Sequence, residues 1–419
     1  MARQFDIPIF YKSSMISQVK KFRQLQDPRK QDLAPTVLDF GPVRFILARH
    51  FGFCFGVENA VEIAYRTLKE HADQRVFFLS EMIHNPDVNR DLQERGVRFI
   101  FSSTGEHLIG WEELTPDDIV VVPAFGASVE MQEALAARGL DPYTHNTTCP
   151  FVERVWKRSA QLGRRGYAVV VHGKASHEET RATFSHSIQD APTVVVRNLE
   201  EAHILADIMR GTRDREAFFA YFGHKCSQGF DPDRDLKRIG VVNQTTMLAW
   251  ETKQVAQVLR QALADRYGRD GYRQDELDVA FADTSDTLCY ATNENQHATY
   301  ALIEHGADLG LVVGGYNSSN TSHIVELCQE AMPTYFIQGA KDLVSGDEIS
   351  RFVLRTQEVV TTPHWLPKQR PLDIALTCGA SCPDAIVDTV LLRVLDFFAA
   401  TRALEDVLQP YTGTQQAAE

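Results

Sequence analysis

The feature that most constrains this chain is a recurring unit: a short run of apolar, mostly β-branched residues, then a loop of small and polar residues, then an amphipathic helix. VRFILA, RHFGFCFG and VENAVEIAYRTLKEHA form one such unit, and DIVVVPA, FGAS and VEMQEALAARG another. The order returns in YAVVVHG with KASHEETRAT, in IGVVNQTT with MLAWETKQVAQVLRQALADRYG, in LGLVVGG with YNSSNT and SHIVELCQEA, and in DIALT with CGASCP and DAIVDTVLLRVLDFF. Strands apolar at nearly every position are buried on both faces, as parallel strands between helix layers are. The fold class is therefore α/β. At 419 residues, two or three such domains are expected. In open parallel sheets, ligands bind beyond the carboxyl ends of the strands. There, helix N-termini present unpaired N–H groups and a positive dipole end. Nearly every unusual residue of this sequence falls at such a place.

Composition narrows the function. The apolar share of 44% with 24% charged residues is that of a globular chain. No apolar run reaches the roughly 18 residues of a membrane span, and the N-terminus lacks the apolar core of a secretory signal. An intracellular, cytoplasmic protein is expected, or a stromal one in a plastid-bearing organism. A net charge of −13 argues against bulk nucleic-acid binding. Seven dispersed cysteines, an odd number, read as thiols, metal ligands or packing rather than a disulfide framework. The polar first 40 or so residues read as an extension that wraps the body or stays mobile, and PYTGTQQAAE as a frayed end.

Cys54, Cys149 and Cys289 each lie at a strand-to-helix junction, where a helix N-terminus favours the metal-binding thiolate. Converging on one [4Fe–4S] cluster, three such ligands leave one iron open as a Lewis acid. The bland alternative is three small buried hydrophobes. Cys328 falls on an apolar helix stripe and reads as core, and Cys226 has no evident role. Cys378 and Cys382 flank GAS and read better as small residues of a tight anion-binding turn than as a metal pair.

The segment Asn317, Ser318, Ser319, Asn320 follows a diglycine and opens a helix, a good cradle for phosphate. Ser381 repeats that logic before another helix. Helix capping would explain one such residue, but not four in a row. His84 and His177 follow apolar strands and suit contacts to an anion. Glu179 is placed to donate a proton and Thr245 to relay it; the plain alternatives are a solvated carboxylate and a capping hydroxyl.

These residues sit in motifs with a known order. GFCFGVENAV, IHNP, TTCPFV, HGKASHEET, NQTTM, CYAT, GGYNSSNT and GASCPD together resemble the 4-hydroxy-3-methylbut-2-enyl diphosphate reductase family over roughly residues 43–395, in its longer cyanobacterial and plant form. The resemblance implies three similar α/β domains in a pseudo-threefold arrangement around a central cluster. The boundaries expected are an extension 1–42, domains 43–149, 150–288 and 289–398, and a tail 399–419, with segment 43–55 able to pack with the third domain. It implies one [4Fe–4S] cluster on Cys54, Cys149 and Cys289. It also implies a diphosphate site from His84, His177, Ser318, Ser319, Asn320 and Ser381, with Thr245 beside the proton donor Glu179. Short bacterial members carry histidine where this chain has Phe125, which removes a polar contact and bears on product ratio.

The implied reaction is a two-electron reductive dehydroxylation giving isopentenyl and dimethylallyl diphosphate. A rival is a three-cysteine [4Fe–4S] lyase of the quinolinate synthase type, which needs no external reductant. Others are an iron–sulfur sensor, which has little use for the polar loops, and a plain nucleotide binder, which lacks its glycine fingerprints. With no flavin or nicotinamide fingerprint, electrons are expected from a ferredoxin or flavodoxin. The basic helix ERVWKRSAQLGRRG is either a docking face for it or a solvated surface.

Overall fold

A computed structural model describes residues 5–269, 279–282 and 287–412. After a 3-10 turn come helix α1 (Ile16–Gln26), strands β1 (Thr36–Asp39) and β2 (Val43–Leu47), and α2 (Phe55–Glu70). Then follow β3 (Val76–Phe78), α3 (Pro86–Glu94), β4 (Arg98–Phe99), β5 (Ile119–Val121) and α4 (Val129–Ala136). The middle of the chain gives α5 (Pro150–Arg164), β6 (Ala168–His172), α6 (Glu178–Ser187), β7 (Thr193–Val196), α7 (Leu199–Arg210), α8 (Arg215–Phe222), α9 (Pro232–Asp235), β8 (Ile239–Asn243), α10 (Ala249–Arg269) and β9 (Phe281–Ala282). The last part holds α11 (Tyr290–His305), β10 (Leu309–Val313), α12 (Ser319–Gln329), β11 (Thr334–Ile337), β12 (Glu348–Val353), β13 (Glu358–Pro363), β14 (Leu372–Cys378), α13 (Asp384–Leu395) and α14 (Leu404–Thr412). Two compact units result. One comprises residues 1–65, 84–88 and 290–419, and the other residues 66–83 and 89–289.

The first unit is built on a seven-stranded sheet in the order β1-β2-β14-β10-β11-β12-β13. Its centre, β2-β14-β10-β11, is parallel. β10 is buried at every residue and β14 at all but one, as expected of strands covered on both faces. The outer strands run antiparallel: β1 on one side, β12 and β13 on the other. Arg44 and Asp373 stand opposite each other in the β2–β14 register and form a two-bond pair, Nε–Oδ1 and Nη2–Oδ2 both 2.5 Å. Half-exposed, that pair contributes at most about 1 kcal/mol, so it marks the register more than it stabilises the sheet. The stabilising mass is one apolar core joining Phe40, Phe45, Leu376, Val390 and Trp365; truncating a ring such as Phe45 to alanine costs about 3–5 kcal/mol.

The chain before residue 43 was expected to wrap the body or stay mobile. Its described part is docked. Ile16 and Val19 of α1 lie in that same core, and β1 pairs residue for residue with β2. Of the end expected to fray, residues 410–412 are described, and they close α14, which is anchored by the buried Val407 and Leu408 just before them. The remainder of that stretch lies outside the described residues.

The second unit holds two parallel sheets, β4-β3-β5 and β7-β6-β8-β9. β6, β7 and β8 are buried at every position. Several mostly parallel sheets flanked by helices are thus what the recurring unit builds.

Candidate functional site

Each cysteine singled out in the sequence stands at the start of a helix. The Cys54 carbonyl accepts from Glu58 N at 2.9 Å in the first turn of α2. Cys149 is the N-cap of α5, extended at φ −62, ψ 131, with Pro150 in the first helical position. Cys289 immediately precedes α11 and is buried, 8% exposed. Cys54 belongs to the first unit, and Cys149 and Cys289 to the second. Among the described residues, no group of three His, Cys, Asp or Glu side chains is gathered as a metal site. Cys328 is core, as expected, and burial pushes its thiol up to about 12. Cys378 and Cys382 are fully buried on either side of a turn closed by Cys382 N on Gly379 O, 3.0 Å. Burial, with the neighbouring Cys378, holds the Cys382 thiol far above its ordinary range, so it stays protonated.

In the first unit the polar loops after β10 and β14 meet. Ser318 caps α12, its Oγ accepting from Thr321 N at 3.3 Å and from Thr321 Oγ1 at 2.9 Å. Ser381 Oγ donates to the His84 carbonyl at 3.1 Å and lies 3.5 Å from Ser318 Oγ. Asn320 Oδ1 accepts from Ala380 N at 2.8 Å, which ties the two loops together. Its Nδ2 is buried and has no hydrogen-bond partner among the described residues. An unmet buried donor costs about 1–3 kcal/mol, so an acceptor is expected there when the protein works. Gly315 cannot be replaced cheaply, because a methyl there would collide with the His84 carbonyl. Ser319 is the half-buried first residue of α12, and Asn317 is exposed. The structure brings Ser318, Asn320, Ser381 and the His84 backbone carbonyl together beside the N-terminus of α12; the contact expected from the sequence was the His84 ring rather than its carbonyl.

The second unit holds Glu179 and His177. His177 is the N-cap of α6, and its Nδ1 accepts from Glu179 N at 3.2 Å, which leaves the proton of a neutral ring on Nε2. Glu179 is 2% exposed. Thr245 N donates to its Oε1 at 2.6 Å, and Thr245 Oγ1 to its Oε2 at 3.0 Å. The Thr245 carbonyl accepts from Cys289 N at 3.1 Å. One residue thus bonds both the Glu179 carboxyl and the Cys289 amide. The Phe125 ring lies edge-on to His177, centroids 5.8 Å apart.

Sequence reasoning missed the groups that hold this loop. Gln244, fully buried, accepts from Lys174 N at 3.1 Å and Thr180 Oγ1 at 2.9 Å, and donates to Thr246 Oγ1 at 2.8 Å. Asn243 Nδ2 donates to Thr287 Oγ1 at 2.6 Å. Both lie inside NQTTM, so their position was legible but their task was not. The basic face of α5 is largely answered by its own chain. Arg154 reaches the Leu288 carbonyl at 3.1 Å, Lys157 pairs with Glu153, Arg164 lies 3.9 Å from Asp190, and Arg165 stacks over Tyr167.

The first unit thus carries a cluster of polar side chains at the N-terminus of α12, and the second, taken by itself, a buried carboxyl held by Thr245; each stands at a loop between a strand and a helix, the place where α/β enzymes bind their ligands. The family model for LytB protein matches residues 45–395, and the chain belongs to the LytB family. Among curated relatives, the 4-hydroxy-3-methylbut-2-enyl diphosphate reductase of a Synechococcus species is 41% identical over 360 residues, covering 86% of this chain and 87% of that protein. The enzyme of the same name from Gloeobacter violaceus is 39% identical over 359 residues, covering 85% and 83%. A solved structure of (E)-4-hydroxy-3-methyl-but-2-enyl diphosphate reductase, terminal enzyme of the non-mevalonate pathway, matches at TM-score 0.50 and 27% identity, covering 84% of this chain and 99% of that one. The structure of the corresponding Plasmodium falciparum reductase, at 20% identity and TM-score 0.58, is similar in fold over 84% of this chain and 87% of that one. This chain is an oxidoreductase of that family.

Proposed function

We infer that this chain reduces (E)-4-hydroxy-3-methylbut-2-enyl diphosphate to isopentenyl and dimethylallyl diphosphate, the last step of the methylerythritol phosphate route to isoprenoid precursors. Family membership over residues 45–395 supports the reaction. The single structural observation that carries the substrate class is the buried, unmet Asn320 Nδ2 beside Ser318, Ser381 and the α12 N-terminus. Ser319, His84 and His177 complete the diphosphate contacts in this reading.

Cys54, Cys149 and Cys289 suit a cluster, because each is a soft sulfur donor at the start of a helix. They would hold one [4Fe–4S] cluster, which when bound supplies the electrons and a Lewis-acidic iron. The substrate takes up two electrons and two protons, loses its hydroxyl as water and keeps its diphosphate. Glu179 provides the proton that leaves with the hydroxyl. Thr245 N–H can only donate, so Oε1 stays an acceptor and the mobile proton belongs on Oε2. There it faces Thr245 Oγ1, a hydroxyl able to accept it and pass on its own. The second proton, added at either end of the allylic skeleton, decides which product forms. Phe125 beside His177 makes that surrounding less polar than a histidine would.

A ferredoxin or flavodoxin would deliver the electrons, and the reaction would run in the cytoplasm; no helix among the described residues is long and apolar enough to cross a membrane. The test is anaerobic incubation of purified chain, substrate and a chemical reductant. Both products are expected, at two electrons per turnover. Conversion that needs no reductant would refute the reading.

A further inference from the structure

Beyond these roles, we propose that Lys20, in the N-terminal extension, is a positioning residue that holds the Cys54 loop and the Ser381 turn in one register. The inference rests on the proposed function. All the groups involved lie in the first unit.

The Lys20 ammonium donates to the Phe51 carbonyl at 2.6 Å and to Asp384 Oδ1 at 2.5 Å, and lies 4.1 Å from the centroid of the Phe51 ring. Phe51 is three residues before Cys54, and Asp384 three residues after Ser381. The two loops also meet directly, Cys54 N donating to the Ala380 carbonyl at 3.3 Å. The junction leaves no room at its centre. Gly52, at φ +83, could not carry a side chain without striking Asp384 and Lys20.

α13 is shaped for this docking. Its first-turn Asp384 takes Lys20. One turn on, the buried Asp388 accepts from Ser14 N at 3.1 Å, Met15 N at 3.2 Å and Ile16 N at 3.1 Å, at the N-terminus of α1. A carboxylate at a helix N-terminus is favourable, and both residues would lose their partners without α1. The stretch before α1 covers the other side of the loop: Phe5 packs edge-on to Phe55 at 5.1 Å, and Tyr11 to Phe53 at 6.0 Å. The extension therefore grips the residues on both sides of Cys54. Lys20 joins the residues before Cys54 to the helix that follows the Ser381 turn, through the Phe51 carbonyl and Asp384.

The experiment compares Lys20→Met and Lys20→Arg holoenzymes with the parent, under anaerobic conditions. Lys20→Met is expected to raise KM for the substrate and weaken inorganic diphosphate binding, measured by calorimetry, about ten-fold each, with iron and sulfide per chain unchanged. Lys20→Arg, which keeps the charge, is expected to restore both to within about three-fold. Diphosphate affinity in Lys20→Met within two-fold of the parent would overturn the proposal, as would a loss that follows melting temperature alone and is not rescued by arginine. A parent enzyme that binds diphosphate but does not reduce the substrate would overturn the proposed function instead, and the calorimetry would still decide the role of Lys20.

Discussion

Replacing Glu179 with glutamine tests the assignment of the proton donor most directly. The amide keeps the shape of the carboxyl. Its oxygen can accept from Thr245 N, now 2.6 Å from Oε1, and its NH2 can donate to Thr245 Oγ1, now 3.0 Å from Oε2. Both contacts survive, so the loop that also receives Cys289 N should not move, and the melting temperature should stay within about 2 °C of the parent. What is lost is an exchangeable proton on an acid. General acid catalysis contributes about 10²–10⁴-fold, which is about 3–5 kcal/mol of barrier. Glu179→Gln is therefore expected to lower kcat by two to four decades with KM changed less than three-fold, because the anion cradle is untouched. Thr245→Ala keeps the backbone donor and removes only the relay, so a smaller loss, about ten-fold, is expected. The assay is steady-state reduction with a chemical donor, which takes the protein carrier out of the measurement. A Glu179→Gln enzyme retaining more than a tenth of parental kcat at pH 7, with its cluster intact, would show that the proton comes from elsewhere.

Serine substitution at Cys54, Cys149 or Cys289 should abolish or at least halve the iron content of anaerobically purified protein and lower its visible absorption in proportion. The same change at Cys378 or Cys382, both buried in a turn, should leave iron and spectrum in place. His50, 9% exposed, is held neutral because burial lowers its pKa from 6.5 to about 4. The unfolded chain takes up that proton first as pH falls, so this contribution to stability is whole above about pH 6.5 and is lost progressively toward pH 4. Its full size is about 3 kcal/mol at most. Denaturant titrations at pH 7, 5.5 and 4.5 should show the decline, and His50→Gln should flatten it; an unchanged slope in that variant would remove His50 as the cause.

Much of the scaffold was legible because its strands announce themselves. LGLVV and IALT are apolar without alternation, and the loops after them carry the polar residues that the structure gathers around Asn320 and Ser381. Helix N-termini at Cys149, His177 and Ser318 could likewise be placed from local chemistry. Less accessible was everything decided by distant partners. ISQVKKFRQLQ left open whether the extension wraps the body or stays mobile, because the partners that dock α1, Asp384 and Asp388 beside the core around Ile16 and Val19, lie more than 300 residues on. That β2 lies beside β14, while β3 lies with β4 and β5, is a pairing choice that no window of sequence contains. Gln244 was missed for the opposite reason. It lies within a motif whose threonine drew the attention, and only its three hydrogen bonds show that it fastens two loops together.

Thr245 presents its amide to the carboxyl of Glu179 and its carbonyl to the amide of Cys289, so a single residue's backbone joins an acid to a sulfur-bearing turn. Replacing the Thr245 side chain cannot separate those two attachments, since on Thr245 both use the backbone. A redesign that shifts the thiol by a few tenths of an ångström will carry the acid with it, and tuning either alone will require rebuilding the whole connecting segment.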